Sequence, residues 1–152
     1  MKAEAKKVRI LCLHGYGQNA DFFRARTGAL RKALPKGSTE YVFLPGPYVA
    51  NASFLSSDDA DGDSRGLKLS WWDMESDSSR PSTSTQYIGL HESLLRARQT
   101  IEDDGPFDGI LGFSQGATFA AILCLLPPAP PPVRWVVLCA AFLPRVRLRR
   151  KS

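Results

Sequence analysis

The chain has 152 residues, enough for one domain with a real core, and 43% hydrophobic and 23% charged residues place it among ordinary globular proteins. Its formal charge of +5 has one origin: residues 145–152 hold five of the 20 basic residues and no acid, which leaves 15 basic against 15 acidic residues in the body. A nucleic-acid footprint spread over a domain face is thereby excluded, and no apolar run reaches the length of a membrane-spanning helix.

Val8 to Leu13 is nearly all apolar, the pattern of a strand buried on both faces of a parallel sheet. Arg9 interrupts it and it is too short for the apolar segment of a signal peptide. It runs into a glycine-bearing loop, His14-Gly15-Tyr16-Gly17-Gln18-Asn19. Asn19 or Asp21 is placed to cap a helix reaching to about Leu34, with Phe22, Phe23, Ala29, Leu30, Ala33 and Leu34 as its apolar stripe. Pro35-Lys36-Gly37 stops it, and Tyr41 to Leu44 reads as a second short strand.

Residues 48–84 keep no period and read as a surface loop, but Trp71-Trp72 inside it predict that part packs down. Asp58, Asp59, Asp61 and Asp63 lack the register and closing glutamate of a calcium loop, so no metal is expected. Thr85 to about Asp104 reads as a helix on which His91, among polar neighbours, is a solvated side chain. Phe107 to Leu111 reads as a strand and Ala117 to Leu126 as a helix. The prolines at 127–132 form a stiff linker rather than a polyproline ligand, and Val133 to Cys139 is another apolar strand. Strands alternating with helical segments predict a parallel sheet with flanking helices. Cys12, Cys124 and Cys139 lie in apolar runs without metal or disulfide spacing, which points to a reducing compartment: the cytoplasm, with the nucleus as a second location.

Between strand 107–111 and helix 117–126 stands Gly112-Phe113-Ser114-Gln115-Gly116, a match to G-x-S-x-G in the strand–turn–helix setting that gives the motif its meaning. Chance would supply about 0.05 such matches in a chain of this length. The sharp turn needs nearly side-chain-free neighbours, hence Gly112 and Gly116, and exposes the hydroxyl of Ser114 above a helix N-terminus. Ser114 is therefore the candidate nucleophile. An acyl-transfer site also needs donors for the developing oxyanion. The N–H of Gln115 is one, and the N–H of Tyr16 or Gly17 is the other. His14 and Gly15 support that loop, Gly15 by letting its backbone come close. The general base is the missing part. After Ser114 the chain has no Asp, Glu or His, and its two histidines both precede the serine.

The segments LCLHGYGQNADFFRARTGALRKAL, Trp71-Trp72, GLHESL, GPFDGILGFSQGA and RWVVLCAAFLPR together resemble the FSH family of serine hydrolases, relatives of the ovarian-cancer-associated esterase and the fungal LovG thioesterase. The match runs from about Val8 to Arg145. The resemblance implies an α/β-hydrolase fold, no cofactor, Ser114 as nucleophile and a small-molecule ester or thioester substrate, often with a long acyl or alkyl chain. It also implies an aspartate and a histidine on later strand ends, for which this sequence has no positions. The expectation is a partial α/β-hydrolase domain over 1–144, lacking its C-terminal strands, followed by a basic tail at 145–152, in a truncated product of impaired activity. The second reading is a non-catalytic binding remnant. A third, the tail as a binder of nucleic acid or anionic membrane, rests on few charges in a short span. The sequence sets no oligomeric state.

Overall fold

The structure, a computed structural model, describes residues 6–55, 66–74, 84–127 and 133–145. In chain order these form β1 (Val8–Leu13), α1 (Ala20–Arg26), α2 (Gly28–Ala33), β2 (Thr39–Leu44), β3 (Tyr48–Val49), a 3-10 turn (Ala52–Phe54), β4 (Leu69–Ser70), α3 (Leu90–Asp104), β5 (Gly109–Phe113), α4 (Gln115–Leu125) and β6 (Trp135–Cys139). Four strands make one wholly parallel sheet in the order β2-β1-β5-β6, and β3 pairs antiparallel with β4 beside it.

The apolar run of β1 is explained by burial on both faces. Leu11 and Leu13 join Trp71, Trp72, Ile110, Phe119 and Leu123 in the main core, which α3 and α4 help to close. Ile10 and Cys12 turn the other way, onto Phe23 of α1 and Leu111 of β5. Burial pushes the Cys12 thiol up to about 12, so it stays a protonated, inert core group. The helix α4 is apolar all round, as a helix enclosed on most sides must be, and eight of its residues are buried. At the amino ends of the strands Arg9 gathers the chain. Its backbone N–H donates to Asp108, and its guanidinium reaches Glu40 and the carbonyls of Asp104 and Pro106 while lying over the Phe107 ring.

Several boundaries differ from those predicted. The helix expected to reach Leu34 is two helices, broken at Thr27, whose hydroxyl donates back to the Phe23 carbonyl at 2.9 Å. The α3 helix starts at Leu90 rather than Thr85 because Ile88 exchanges two backbone hydrogen bonds with Asp73, and Gly89, at φ 85°, packs where a Cβ would strike the Tyr48 ring. Strand β5 extends through Phe113 and α4 begins at once with Gln115, so the turn between them is a single residue. Trp71 and Trp72 are fully buried, as the sequence required. The aspartates at 58, 59, 61 and 63, most of the proline run and the tail from 146 lie outside the described residues.

Phe119 is 0% exposed and stacks on Trp71 at 4.6 Å between centroids. Phe119→Ala is expected to cost about 3–5 kcal/mol of unfolding free energy. The same change at Leu125, 79% exposed on the same helix, is expected to stay within about 0.5 kcal/mol. Urea titration of both variants checks the pair.

Candidate active site

Strands β1 and β5 are neighbours with Leu13 opposite Gly112, so the loop after β1 and the turn after β5 meet at the carboxyl edge of the sheet. In an open parallel sheet this edge is where strand-end groups converge. Ser114 stands there at φ 51°, ψ −117°, a backbone state that residues with a side chain rarely occupy. Its neighbours hold it. A Cβ on Gly112 would come within 2.6 Å of the Ala117 Cα, and a Cβ on Gly116 would run into the carbonyls of Leu13 and His14. The start of α4 thus lies directly on the end of β1, and both glycines of the motif are required by packing. The Ser114 N–H donates to the Cys139 carbonyl at 2.9 Å, tying the turn to β6 as well. The Ser114 hydroxyl is half-buried and has no hydrogen-bond partner among the described residues.

The donors around it differ in availability. The Gln115 N–H is the first of α4 and has no backbone carbonyl to bond, the normal state of a helix N-terminus. The Tyr16 N–H is likewise uncommitted. Gly17 is not: its N–H donates to the Leu69 carbonyl at 2.9 Å. Of the two loop donors named from the sequence, Gly17 is therefore occupied in pairing the loop with the segment before Trp71, and Tyr16 remains. The Tyr16 ring anchors that donor, because its hydroxyl accepts from the Asn51 N–H at 2.9 Å. Burial raises the Tyr16 phenol above its ordinary range, with the backbone bond to Asn51 opposing.

A buried polar network lies under these donors, and sequence reasoning missed it. The Gln115 side chain, 0% exposed, accepts from the Trp71 N–H and donates to the Trp72 carbonyl, both at 2.9 Å. The Trp71 indole N–H donates to the His14 carbonyl at 2.8 Å, and Ser93 of α3 donates to the Trp71 carbonyl. The signal in the sequence was a glutamine beside the serine and a Trp-Trp pair in an otherwise polar loop.

His14 belongs to this network as a structural group. Its Nδ1 donates to the Gly15 carbonyl and its Nε2 accepts from the Gly46 N–H, both at 2.8 Å, which fixes one neutral tautomer and uses both nitrogens. Burial lowers its pKa to about 4. It cannot take a proton from Ser114. The other histidine, His91, is exposed on α3 in a groove with Leu95, Arg98 and Leu126. No cluster of His, Cys, Asp and Glu that could hold a metal occurs among the described residues.

On the α1 side of the sheet, a cleft of about 450 Å³ opens beside the turn, lined by Gln18, Phe23, Leu30, Leu111, Phe113 and Cys139 among others.

The family described as serine hydrolase (FSH1) matches residues 1–151. The chain belongs to this family. It is 42% identical over 149 residues to esterase OVCA2 of Bos taurus, covering 91% of this chain and 65% of that protein. Against esterase OVCA2 of Homo sapiens the identity is 39%, covering 94% and 67%. The chain thus spans about two thirds of the length of these relatives. Among solved structures, that of esterase PE8 aligns with a TM-score of 0.61 at 21% identity, over 90% of this chain and 59% of the other. That likeness is one of fold, and the fold is that of an α/β hydrolase.

The burial of His14 sets an acid dependence. Its folded pKa of about 4 lies below the unfolded value of 6.5, so the fold favours the neutral ring. The stability this provides is complete above pH 6.5 and is lost as pH falls toward 4, by about 3 kcal/mol in all. Unfolding free energy measured between pH 7 and pH 5, above the main carboxylate range, should fall in the wild type. In His14→Gln it should start lower and stay nearly flat.

Proposed function

We infer that Ser114 is the nucleophile of a serine hydrolase acting on carboxylic esters or thioesters. One observation carries the reading: a serine held at φ 51° on a one-residue turn between β5 and α4, between two glycines that packing allows no side chain. Family membership and relatives named as esterases support the ester as substrate.

In this mechanism the substrate carbonyl lies over the Ser114 hydroxyl. Attack by Oγ forms a tetrahedral intermediate whose oxyanion is received by the N–H groups of Gln115 and Tyr16. Both donors are fixed beforehand, Gln115 by its buried side chain and Tyr16 by its bond to Asn51. Collapse expels the alcohol or thiol and leaves an acyl group on Ser114, which water then removes. The Oγ proton is the difficulty. His14 has both nitrogens committed and His91 stands exposed on α3, so neither histidine is placed to take it and the proton passes to solvent. Turnover is accordingly expected to lie on the order of 10⁶-fold below that of a complete Ser-His-acid site.

A non-catalytic binding role is the second reading, favoured by that same lack of a base. A p-nitrophenyl ester assay separates the two. On the first reading hydrolysis is slow and is lost in Ser114→Ala. Free imidazole, supplied as a substitute base, then raises the Ser114-dependent part by on the order of 10-fold or more, a portion of what a positioned base provides. A fluorophosphonate probe should label Ser114 under the same conditions. Folded protein that neither labels nor responds to imidazole supports the binding role.

A further inference from the structure

We propose that His14 is a positioning residue for ester hydrolysis: its ring turns the Gly15–Tyr16 peptide so that the Tyr16 N–H meets the oxyanion. This rests on Ser114 being the nucleophile.

The peptide that joins Gly15 to Tyr16 carries both groups concerned, the Gly15 carbonyl and the Tyr16 N–H. A trans peptide is a rigid plane whose C=O and N–H point in opposite directions. Among the described residues the one cis bond is Gly105–Pro106, so this peptide is trans. Whatever grips its carbonyl therefore aims its N–H. Two donors grip it, His14 Nδ1 at 2.8 Å and the Gln18 N–H at 3.2 Å. The histidine bond is the shorter, and its donor is fixed. The Gly46 N–H can only donate, so Nε2, which meets it at 2.8 Å, is the bare nitrogen and the ring proton stands on Nδ1. The ring is fully buried and lies against Trp71 at 5.1 Å between centroids, which keeps it from swinging away.

The groups on either side are tied as well. The His14 carbonyl takes the Trp71 indole N–H, the Gly15 N–H donates to Gln18 Oε1 at 3.0 Å, and the Gly17 N–H donates to the Leu69 carbonyl. Of the three successive N–H groups from Gly15 to Gly17, that of Tyr16 alone has no partner among the described residues. The loop is thus fixed on both sides of its one open donor. A donor held in this way receives charge that appears only in the transition state without a reorganisation cost. The imidazole acts here through the backbone and never touches the substrate, a role distinct from proton transfer.

The test compares a p-nitrophenyl ester with its thionoester, whose carbonyl sulfur is a poor hydrogen-bond acceptor. The rate read is the Ser114-dependent, imidazole-assisted hydrolysis by the full chain. Losing an oxyanion donor outright costs about 10²–10³ in kcat, and here the Gln18 N–H still holds the carbonyl. His14→Gln should therefore lower kcat for the ester by about 10-fold, leave KM unchanged and scarcely alter the thionoester rate. His14→Asn, whose amide nitrogen stands near the place of Nδ1, should recover most of the loss. Circular dichroism checks that both variants are folded. Nitrogen-15 spectra of the wild-type ring, which need no variant, should show the Nδ1–H tautomer. An Nε2–H tautomer overturns the proposal, as does full ester turnover in His14→Gln. So does an equal fall in both substrates, the mark of a general base or of a merely loosened fold, or an equal fall in the Asn and Gln variants. Wild-type protein with no Ser114-dependent hydrolysis of either substrate overturns the assignment of Ser114 itself, and this proposal with it.

Discussion

The Trp71 backbone and indole hold together three parts of the chain that have no sequence proximity. Through hydrogen bonds at 2.8–2.9 Å, the residue reaches the end of β1 at His14 and the start of α4 at Gln115, and its carbonyl is held by Ser93 of α3. Each of these groups is fully buried, so each bond left unmade would strand a polar atom away from water at about 1–3 kcal/mol. The penalty makes the arrangement nearly all-or-none. It also explains why an irregular segment, which could not bury its own backbone, is accepted at the centre of the core.

The geometry at Ser114 depends on that network. A non-glycine residue at positive φ persists only when its surroundings over-determine it. Here the constraint comes from both sides. Gly112 and Gly116 press the turn against α4 and the end of β1, and Gln115 is locked to the Trp71-Trp72 backbone from below. The same lock aims the Gln115 N–H outward. On the other side of the site, His14 does for the loop what Gln115 does for the helix. Its two ring nitrogens join Gly15 to Gly46, and its carbonyl takes the Trp71 indole. A histidine in a hydrolase loop invites assignment as the base; its burial and bonding make it a brace.

The described residues bring Ser114 to the same sheet edge as the N–H groups of Gln115 and Tyr16, while His14 has both ring nitrogens committed and His91 is exposed on α3. Ser114 and the N–H groups of Gln115 and Tyr16 arise from the ends of β5 and β1 and the first turn of α4, with β1 and β5 central to the sheet. Among the described residues, β6 is the strand that follows β5, and the α1 face of the sheet is exposed at Phe113, Val137 and Cys139.

The sequence by itself determined the parallel sheet, the strands β1 and β6, and Ser114 with its two glycines. Those features are local: a strand buried on both faces, as β1 is, must be nearly all apolar, a short apolar run marks β6 whatever covers it, and a one-residue strand-to-helix turn excludes side chains on either flank. It also fixed the absence of any acid or histidine after the serine. Only the tertiary structure decided that Gly17 spends its N–H on Leu69 and Tyr16 does not, that α3 waits until Leu90 because Ile88 pairs with Asp73, and that Gln115 and His14 are buried braces. Apart from the bond of His14 to its neighbour Gly15, these outcomes depend on partners 15 to 57 residues away in the chain. A hydrogen bond between distant segments leaves no periodicity in either of them, and becomes visible only when the fold brings them together.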